Sequence, residues 1–230
     1  MIAAEKSNLN FRQIVRIIHK IKPVDGRLEK IGKIKNNSSV ILDYAHTPDA
    51  LKVCLQNLKE QFTDKKISVV FGCGGERDQY KRSIMGKIAN NYCDKIYLTD
   101  DNPRKENPKK IRAEIKKKIS KIKLYEIPNR LSAIKEGIDN LNTGDILVVA
   151  GKGHENIQNY GSIKKNFSDK KIILKCIKDK NKNLSNNLKL NILKEQSNQN
   201  SFSLNTKIKK GSINSLEIKK DDIFFAIKGK

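Results

Sequence analysis

The chain has 230 residues, 37% of them hydrophobic, and 48 lysines and arginines against 25 acidic residues give a formal net charge of +23. Forty of the basic residues are lysines scattered along the chain, without an aromatic–basic stripe or a nucleic-acid recognition motif, so we interpret the charge as a solvated surface. There is neither a recognisable signal peptide nor an apolar run long enough to span a membrane, so we expect a cytoplasmic protein.

Cysteines and histidines do not cluster in the sequence. The three histidines lie far apart and no pair of cysteines has CxxC spacing; the cysteines are Cys54, Cys73, Cys93 and Cys176. This distribution suits a reducing compartment and predicts neither a disulfide framework nor a metal site.

Apolar residues recur with helical or strand periodicity along the first three quarters of the chain. The pattern predicts a helix over Leu9–Ile21 that Pro23 ends, strands over Arg27–Lys35 and Val40–Leu42, and a helix that Thr47 caps and Pro48 begins. The later predicted elements are, in order, a strand Ile67–Phe71, a helix Ser83–Asn91, a strand Lys95–Thr99, a helix from Asn107 through Ile119, a strand Leu124–Ile127, a helix Arg130–Leu141, a strand Asp145–Ala150 and a helix that Ser168 caps and that runs through Ile177.

Strands that alternate with helices indicate βαβ units. They predict an α/β fold with a Rossmann-like, mostly parallel sheet flanked by helices. Ligands bind such sheets beyond the carboxyl ends of the strands. Polar or glycine-rich loops follow four of the predicted strands, with the sequences DYAHTPD, GCGGERD, TDDNPR and GKGHE. We therefore predict a binding site where these four loops meet.

The glycines of these loops do not form a nucleotide-phosphate motif. GCGGERD lacks the Lys-Ser/Thr of a P-loop, Arg77 stands where GxGxxG requires its last glycine, and GKGHE has no P-loop spacing. Tight turns between strands and helices account for such glycines equally well. No serine or cysteine stands in a nucleophile-elbow context, so the sequence predicts no catalytic triad.

Arginines, by contrast, concentrate near these loops. Four of the eight arginines lie in or beside them: Arg27, Arg77, Arg82 and Arg104. A guanidinium group can bind a carboxylate or phosphate through two parallel hydrogen bonds, which favours an anionic ligand. Arginine also makes structural ion pairs, and that alternative stays open. His46, between a strand and a capped helix, is similarly either a surface residue or a ligand contact.

The last fifty residues have a different composition. Asp179–Ser201 is rich in asparagine, lysine and serine and is predicted to be a linker. The apolar run Ile223–Ile227 predicts a strand close to the last residue, and we interpret it as the opening of a second domain.

Together the loops resemble the C-terminal domain of the Mur ligases. The matching segments are VILDYAHTPDALKVCLQNL, VVFGCGGERDQYKRSIMGKIA, DDNPR and LVVAGKGHE, and VDGRLE at Val24–Glu29 is similar to the start of that domain. Within the family the likeness, over Ile2–Ile177, is to ligases that add meso-diaminopimelate to UDP-N-acetylmuramoyl-L-alanyl-D-glutamate. The tail segment SINSLEIKKDDIFFAIKG resembles the start of a ligase that adds D-alanyl-D-alanine.

The resemblance implies four segments in a piece of a fused two-ligase polypeptide. Residues 1–23 would end a central ligase domain, residues 24–178 would form the amino-acid-binding domain, residues 179–201 a linker, and residues 202–230 the truncated start of a following Mur ligase N-terminal domain.

The resemblance also implies an ATP-dependent, amide-forming ligase of peptidoglycan synthesis. ATP, magnesium and UDP-N-acetylmuramoyl-dipeptide would be bound mainly by missing domains, so this chain alone is expected to be inactive and to hold neither a catalytic residue nor a metal ligand. The implied contacts to meso-diaminopimelate are Arg77, Asp101, Asn102, Pro103, Arg104, Gly151 and Glu155, while Arg27, Tyr44 and His46 match positions on the nucleotide side. The alternative from composition is a basic α/β module that binds nucleic acid.

Overall fold

The computed structural model describes residues 10, 12, 15–16, 24–120, 123–196, 211–212 and 223–224. Most of the helix predicted over Leu9–Ile21 and most of segment 202–230 therefore lie outside the described residues. Among the described residues no helix is both long enough and apolar enough to cross a membrane.

Six strands form the main sheet. They are β1 (Glu29–Ile31), β2 (Ser39–Asp43), β3 (Ile67–Phe71), β4 (Lys95–Leu98), β5 (Lys123–Glu126) and β6 (Ile146–Ala150). Their order across the sheet is β1-β2-β6-β3-β4-β5, with β1 antiparallel to β2 and every other pair parallel. All residues of β3 and β6 are buried, as is typical of central strands covered on both faces. The predicted α/β fold is confirmed.

Helices cover both faces of this sheet. They are α1 (Pro48–Gln61), α2 (Tyr80–Tyr92), α3 (Pro108–Lys116), α4 (Arg130–Asp139) and α5 (Asp169–Gln196). Apolar residues of α1, α2 and α3 pack on one face and those of α4 and α5 on the other. Alternate residues of β6 enter the two cores, with Val148 in the first and Val149 in the second.

Capping residues fix where helices begin. The Thr47 side chain accepts a hydrogen bond from the Ala50 amide ahead of Pro48, and Asn107 does the same for Lys109 ahead of Pro108. The sequence predicts the first start from a hydroxyl cap followed by proline and the second at Asn107, and both starts are confirmed.

The first predicted strand is shorter than its sequence pattern. Of the predicted range Arg27–Lys35, only Glu29–Ile31 is a strand. Leu28 and Gly32 have φ values of 43° and 64°, a left-handed conformation that interrupts strand geometry on both sides.

The last helix runs further than predicted. It continues beyond Ile177 to Gln196, so the backbone of residues 179–196, expected to be linker, is helical. No glycine or proline interrupts the sequence between Asp169 and Gln196, which removes the usual cause of a helix end. The Lys180 ammonium also donates to the carbonyls of Asp139 and Leu141, both at 2.9 Å, which holds this turn of α5 on the domain.

Two short strand pairs complete the described structure. An antiparallel hairpin of β7 (Ile157–Tyr160) and β8 (Ile163–Asn166) was not predicted, because β8 is fully exposed and has no apolar alternation. Within the predicted strand Ile223–Ile227, β10 (Ile223–Phe224) pairs in parallel with β9 (Gly211–Ser212).

Candidate functional site

The loops that follow β2, β3, β4 and β6 meet at the carboxyl edge of the sheet and enclose a cleft of about 530 Å³. This is where the sequence predicted a binding site. Eight of the ten predicted site residues line the cleft, namely Tyr44, His46, Arg77, Asp101, Asn102, Arg104, Gly151 and Glu155. The cleft therefore carries guanidinium and carboxylate groups side by side.

Arg27 and Pro103 are not among the residues that line the cleft. The Arg27 guanidinium stacks over the Tyr44 ring, 5.0 Å from its centroid, and the Tyr44 and His46 rings are 4.7 Å apart. Arg27, Tyr44 and His46 thus form one cluster at the side of the cleft. The Pro103 carbonyl packs closely against Gly75.

Asp101 is a buried carboxylate with one oxygen in use. Its Oδ1 accepts a hydrogen bond from the Asn102 amide at 2.7 Å. Its Oδ2 has no hydrogen-bond partner within the described part of the chain and lies 4.0 Å from Arg130 Nη1. Gly151 has a φ of 113°, and a Cβ there would lie 3.0 Å from this same oxygen. This oxygen is therefore enclosed between Gly151 and the Arg130 guanidinium, behind the surface of the cleft.

A buried ammonium joins the two sides of the cleft. Lys152 is fully buried, and its Nζ donates to Asn102 Oδ1 at 3.2 Å, Glu155 Oε2 at 3.1 Å and the Ile157 carbonyl at 2.6 Å. The Asn102 amide in turn donates to Glu155 Oε2 at 3.1 Å. Burial raises the pKa of Glu155, but the hydrogen bond and the charge of Lys152 lower it. The lowering effects are together the larger, so the pKa lies below its usual value. Glu155 is thus an anion at neutral pH.

The Arg104 side chain is held by the glycine loop. Its Nη1 donates to the Gly75 carbonyl at 2.6 Å, and its backbone has a φ of 52°. The backbone amide of Arg104 donates to the Asn159 carbonyl at 3.0 Å, which fixes this strained conformation. A guanidinium has five N–H donors, so Arg104 retains capacity for a ligand carboxylate.

The unpredicted hairpin fastens the DDNPR loop along its length. Gln158, which is buried, donates to the carbonyls of Asp100 and Asp101 at 3.2 and 2.9 Å. The Asn159 amide donates to Asn102 Oδ1 at 2.9 Å. Because three successive loop residues are held in this way, the hairpin determines where the DDNPR side chains point.

The two aspartates of DDNPR have different roles. Asp100 forms an ion pair with Arg112 and accepts a hydrogen bond from the Tyr160 hydroxyl at 3.1 Å. Burial, and then the charge of Asp100, raise the pKa of Tyr160 to about 12. Asp100 therefore anchors the loop, whereas Asp101 lines the cleft.

Arg82 does not serve the cleft, in contrast to the ligand-binding interpretation of the loop arginines. Its fully buried guanidinium pairs with Glu106 at 2.9 Å and Glu114 at 2.7 Å and also donates to the Gly74 carbonyl at 3.3 Å. The hydrogen bond from Arg82 is the main cause of the lowered pKa of Glu106. Arg82 therefore makes structural ion pairs and is not a ligand contact.

A second buried pair, between Arg130 and Asp169, was not predicted. Arg130 Nε and Nη2 donate to the two Asp169 oxygens at 2.9 and 2.7 Å, and Nη2 also donates to the Ala150 carbonyl at 2.9 Å. The pair thus ties the starts of α4 and α5 to the end of β6. Sequence periodicity carries no signal for it, since the partners are 39 residues apart.

Close approach explains the glycines of GCGGERD. A Cβ on Gly75 would lie 2.0 Å from the Pro103 carbonyl oxygen, and one on Gly72 would lie 2.2 Å from the Thr99 oxygen. These glycines let the loop pack against DDNPR and bring Arg77 and Arg104 into one cleft.

We expect Gly75→Ala to lower the free energy of unfolding by about 2 to 3 kcal/mol, because the backbone of Pro103 must move to admit the methyl group. Gly144→Ala is the matched control: its φ is 80°, yet nothing lies within 4 Å, so it should cost only about 1 kcal/mol of backbone strain. Urea denaturation of both variants measures the difference. Equal losses would contradict the packing role of Gly75.

Residues with metal-ligating side chains are present but dispersed. Within the described ranges, no three His, Cys, Asp or Glu side chains come close enough together to hold a metal ion.

Comparison with known proteins identifies the family. Residues 26–153, more than half of the chain, match the family model described as Mur ligase, glutamate ligase domain. The chain belongs to the Mur ligase family.

Two curated relatives of this chain carry the same name. The chain is 50% identical over 169 residues to the UDP-N-acetylmuramoyl-L-alanyl-D-glutamate–2,6-diaminopimelate ligase of Rickettsia felis, a match that covers 73% of this chain and 31% of that protein. It is 47% identical over 178 residues to the enzyme of the same name from Buchnera aphidicola subsp. Baizongia pistaciae, covering 76% and 34%. The chain thus spans about a third of the length of these relatives.

Solved Mur ligase structures share the fold. A structure titled UDP-N-acetylmuramoyl-L-alanyl-D-glutamate–2,6-diaminopimelate ligase superposes with a TM-score of 0.63 at 37% identity, covering 77% of this chain and 36% of that one. The UDP-N-acetylmuramate–alanine ligase of Thermotoga maritima superposes with a TM-score of 0.53 at 18% identity, covering 80% and 35%, which supports the fold alone.

Proposed function

We propose that this chain supplies the amino-acid-binding domain of an ATP-dependent ligase that adds meso-diaminopimelate to UDP-N-acetylmuramoyl-L-alanyl-D-glutamate in peptidoglycan synthesis. The observation that carries the proposal is the meeting of Arg104, Asp101 and Glu155 in one cleft. The relatives' names support the same substrate.

The chemistry of the cleft suits that amino acid. Diaminopimelate carries two carboxylates and two ammonium groups. Arg104 and Arg77 can bind its distal carboxylate, while the Glu155 carboxylate, with Asp101 beside it in the lining, can accept from an ammonium group. Lysine lacks the distal carboxylate and would leave the Arg104 guanidinium without its partner, which disfavours lysine as the substrate.

In the proposed reaction, the D-glutamyl carboxylate is first activated by ATP as an acyl phosphate. The diaminopimelate amine then displaces phosphate to form the amide, and ADP and phosphate are the other products. The residues of this chain bind the amino acid and orient its amine. ATP phosphates and magnesium are assigned to a P-loop domain, since these 230 residues contain no GxxxxGK[ST] motif. The cluster of Arg27, Tyr44 and His46 is assigned to the nucleotide side of the cleft.

NMR titration tests the binding site. Adding meso-diaminopimelate to the labelled chain should shift the Gly151 amide, the Asn102 side-chain amide and the Arg104 Nε–H signals. Signals of β8 should stay in place, since that exposed strand does not line the cleft. Shifts elsewhere, with these three unchanged, would contradict the assigned site.

The purified 230-residue chain is expected to show no diaminopimelate-dependent hydrolysis of ATP, because it lacks a phosphate-binding loop. Release of ADP is measured with the amino acid and UDP-N-acetylmuramoyl-dipeptide both present. Turnover above a no-enzyme control would contradict the assignment of ATP to another domain.

We also propose the division of the chain into residues 1–23, 24–178, 179–201 and 202–230, with the last segment the start of a D-alanyl-D-alanine-adding Mur ligase. The segment SINSLEIKKDDIFFAIKG supports this. Sequencing the gene on both sides tests it: an in-frame P-loop domain before Met1 and a continuing ligase after Lys230 are expected. Such a ligase would act in the cytoplasm.

The net charge of +23 favours one competing function, a basic module that binds nucleic acid. A band shift of DNA that disappears with salt, together with no response to diaminopimelate, would replace the ligase proposal with this one.

A further inference from the structure

We propose that Lys152 is a positioning residue of the amino-acid site: its buried ammonium sets the side chains of Asn102 and Glu155 in the orientation that receives the ligand. The inference deepens the proposed function and depends on it for the identity of the ligand. It adds a residue that does not itself line the cleft.

The contacts of Lys152 converge on the site. One Nζ atom donates to Asn102 Oδ1 and to Glu155 Oε2, two side chains that line the cleft from different loops. An ammonium group has three donors, and the third reaches the Ile157 carbonyl of the hairpin. All three donors are therefore used, and the ammonium has a single defined position.

This arrangement fixes the orientation of the Asn102 amide. Because Asn102 Oδ1 accepts from Lys152 and from the Asn159 amide, its Nδ2 is directed toward Glu155. Without the ammonium, Asn102 loses one of the two donors that determine which end of its amide faces the carboxylate.

Lys152 also determines the charge that the ligand meets. Glu155 is partly exposed at the cleft, with 35% of its side chain accessible, and its Oε1 accepts from the Tyr44 hydroxyl at 3.4 Å. Oε2 is directed into the protein by Lys152 and Asn102. The Lys152 ammonium thereby keeps Glu155 ionised and fixes the orientation of its carboxylate. Glu155 Oε1 remains on the side of the site that faces the ligand.

The chain contains a matched control. Lys180 is also a buried lysine, and its Nζ donates to the Asp139 and Leu141 carbonyls. Those carbonyls precede β6, at the opposite edge of the sheet from the cleft. Replacing Lys180 therefore shows how much stability is lost when a buried lysine is removed away from the cleft, and any further effect of replacing Lys152 belongs to the site.

The experiment compares Lys152→Met with Lys180→Met in the 230-residue chain. Lys152→Met should raise the pKa of the Glu155 carboxyl, followed by its side-chain ¹³C signal, and should shift the Asn102 side-chain amide. It should also weaken meso-diaminopimelate binding roughly tenfold to hundredfold. Lys180→Met should leave all three unchanged. If Lys152→Met does not fold, Lys152→Gln removes the charge but keeps a donor, and the same three changes are expected.

Unchanged Glu155 and Asn102 signals in the Lys152 variant would overturn the positioning role, as would unchanged ligand affinity in a variant whose signals do move. A wild-type chain that binds no diaminopimelate would contradict the proposed function instead. The Glu155 and Asn102 signals are read without ligand, so the two failures are distinguishable.

Discussion

Replacing Arg104 with alanine is expected to remove most of the affinity for meso-diaminopimelate. A desolvated, charge-paired guanidinium contributes about 2 to 5 kcal/mol when its partner is left unpaired, which corresponds to roughly 30- to 4,000-fold in the dissociation constant. In a complete ligase the Michaelis constant for ATP should change much less. Equal losses of affinity for diaminopimelate and for ATP would show that Arg104 does not recognise the amino acid.

Two features keep this experiment free of a folding artefact. Arginine and alanine are equally strained at a φ of 52°, so the backbone conformation costs the same in both proteins. The lost bond to the Gly75 carbonyl accounts for about 1 kcal/mol of stability. Arg104→Lys is the matched variant: it keeps the charge without the planar fork, so its affinity should fall between those of wild type and Arg104→Ala.

Arg130→Met is expected to give the largest loss of stability. The substitution leaves Asp169, whose side chain is completely buried, without its ionic partner. Breaking a buried pair in this way costs about 3 to 5 kcal/mol, measured as the free energy of unfolding in urea. The starts of α4 and α5 should be the first parts to lose protection against hydrogen exchange, because this pair joins them.

The double variant Arg130→Met/Asp169→Leu provides the control. Replacing both charges with apolar groups removes the unpaired carboxylate, so at least half of the lost stability should return. If the losses of unfolding free energy from the two substitutions are instead additive, the ion pair is not the cause. The loss then comes from packing or from the hydrogen bond to the Ala150 carbonyl.

Local sequence patterns were sufficient for the sheet and for the position of the cleft. Strands β3 and β6 are continuous apolar runs, and Thr47-Pro48 and Asn107-Pro108 are helix starts that require no tertiary information. Because parallel strands end at one edge, four polar loops after four strands were enough to predict that they meet.

The partners of buried charges could not be predicted in this way. Arg82 and Arg104 look alike in sequence, yet Arg82 is neutralised by Glu106 and Glu114 while Arg104 lines the cleft. The pairing depends on how α2 and α3 pack, and periodicity does not specify that packing. The exposed hairpin and the extension of α5 beyond Ile177 escaped prediction for a related reason: their sequences are polar, and they are held by hydrogen bonds to distant residues such as Asp100 and Asp139.

The most direct test of the central claim is a calorimetric titration of the 230-residue chain with meso-diaminopimelate and, separately, with L-lysine. The two amino acids differ by the distal carboxylate that Arg104 is proposed to bind. Diaminopimelate should bind at least about 30-fold more tightly than lysine, and Arg104→Ala should abolish this preference. Equal affinity for the two amino acids, or no heat with either, would contradict the account.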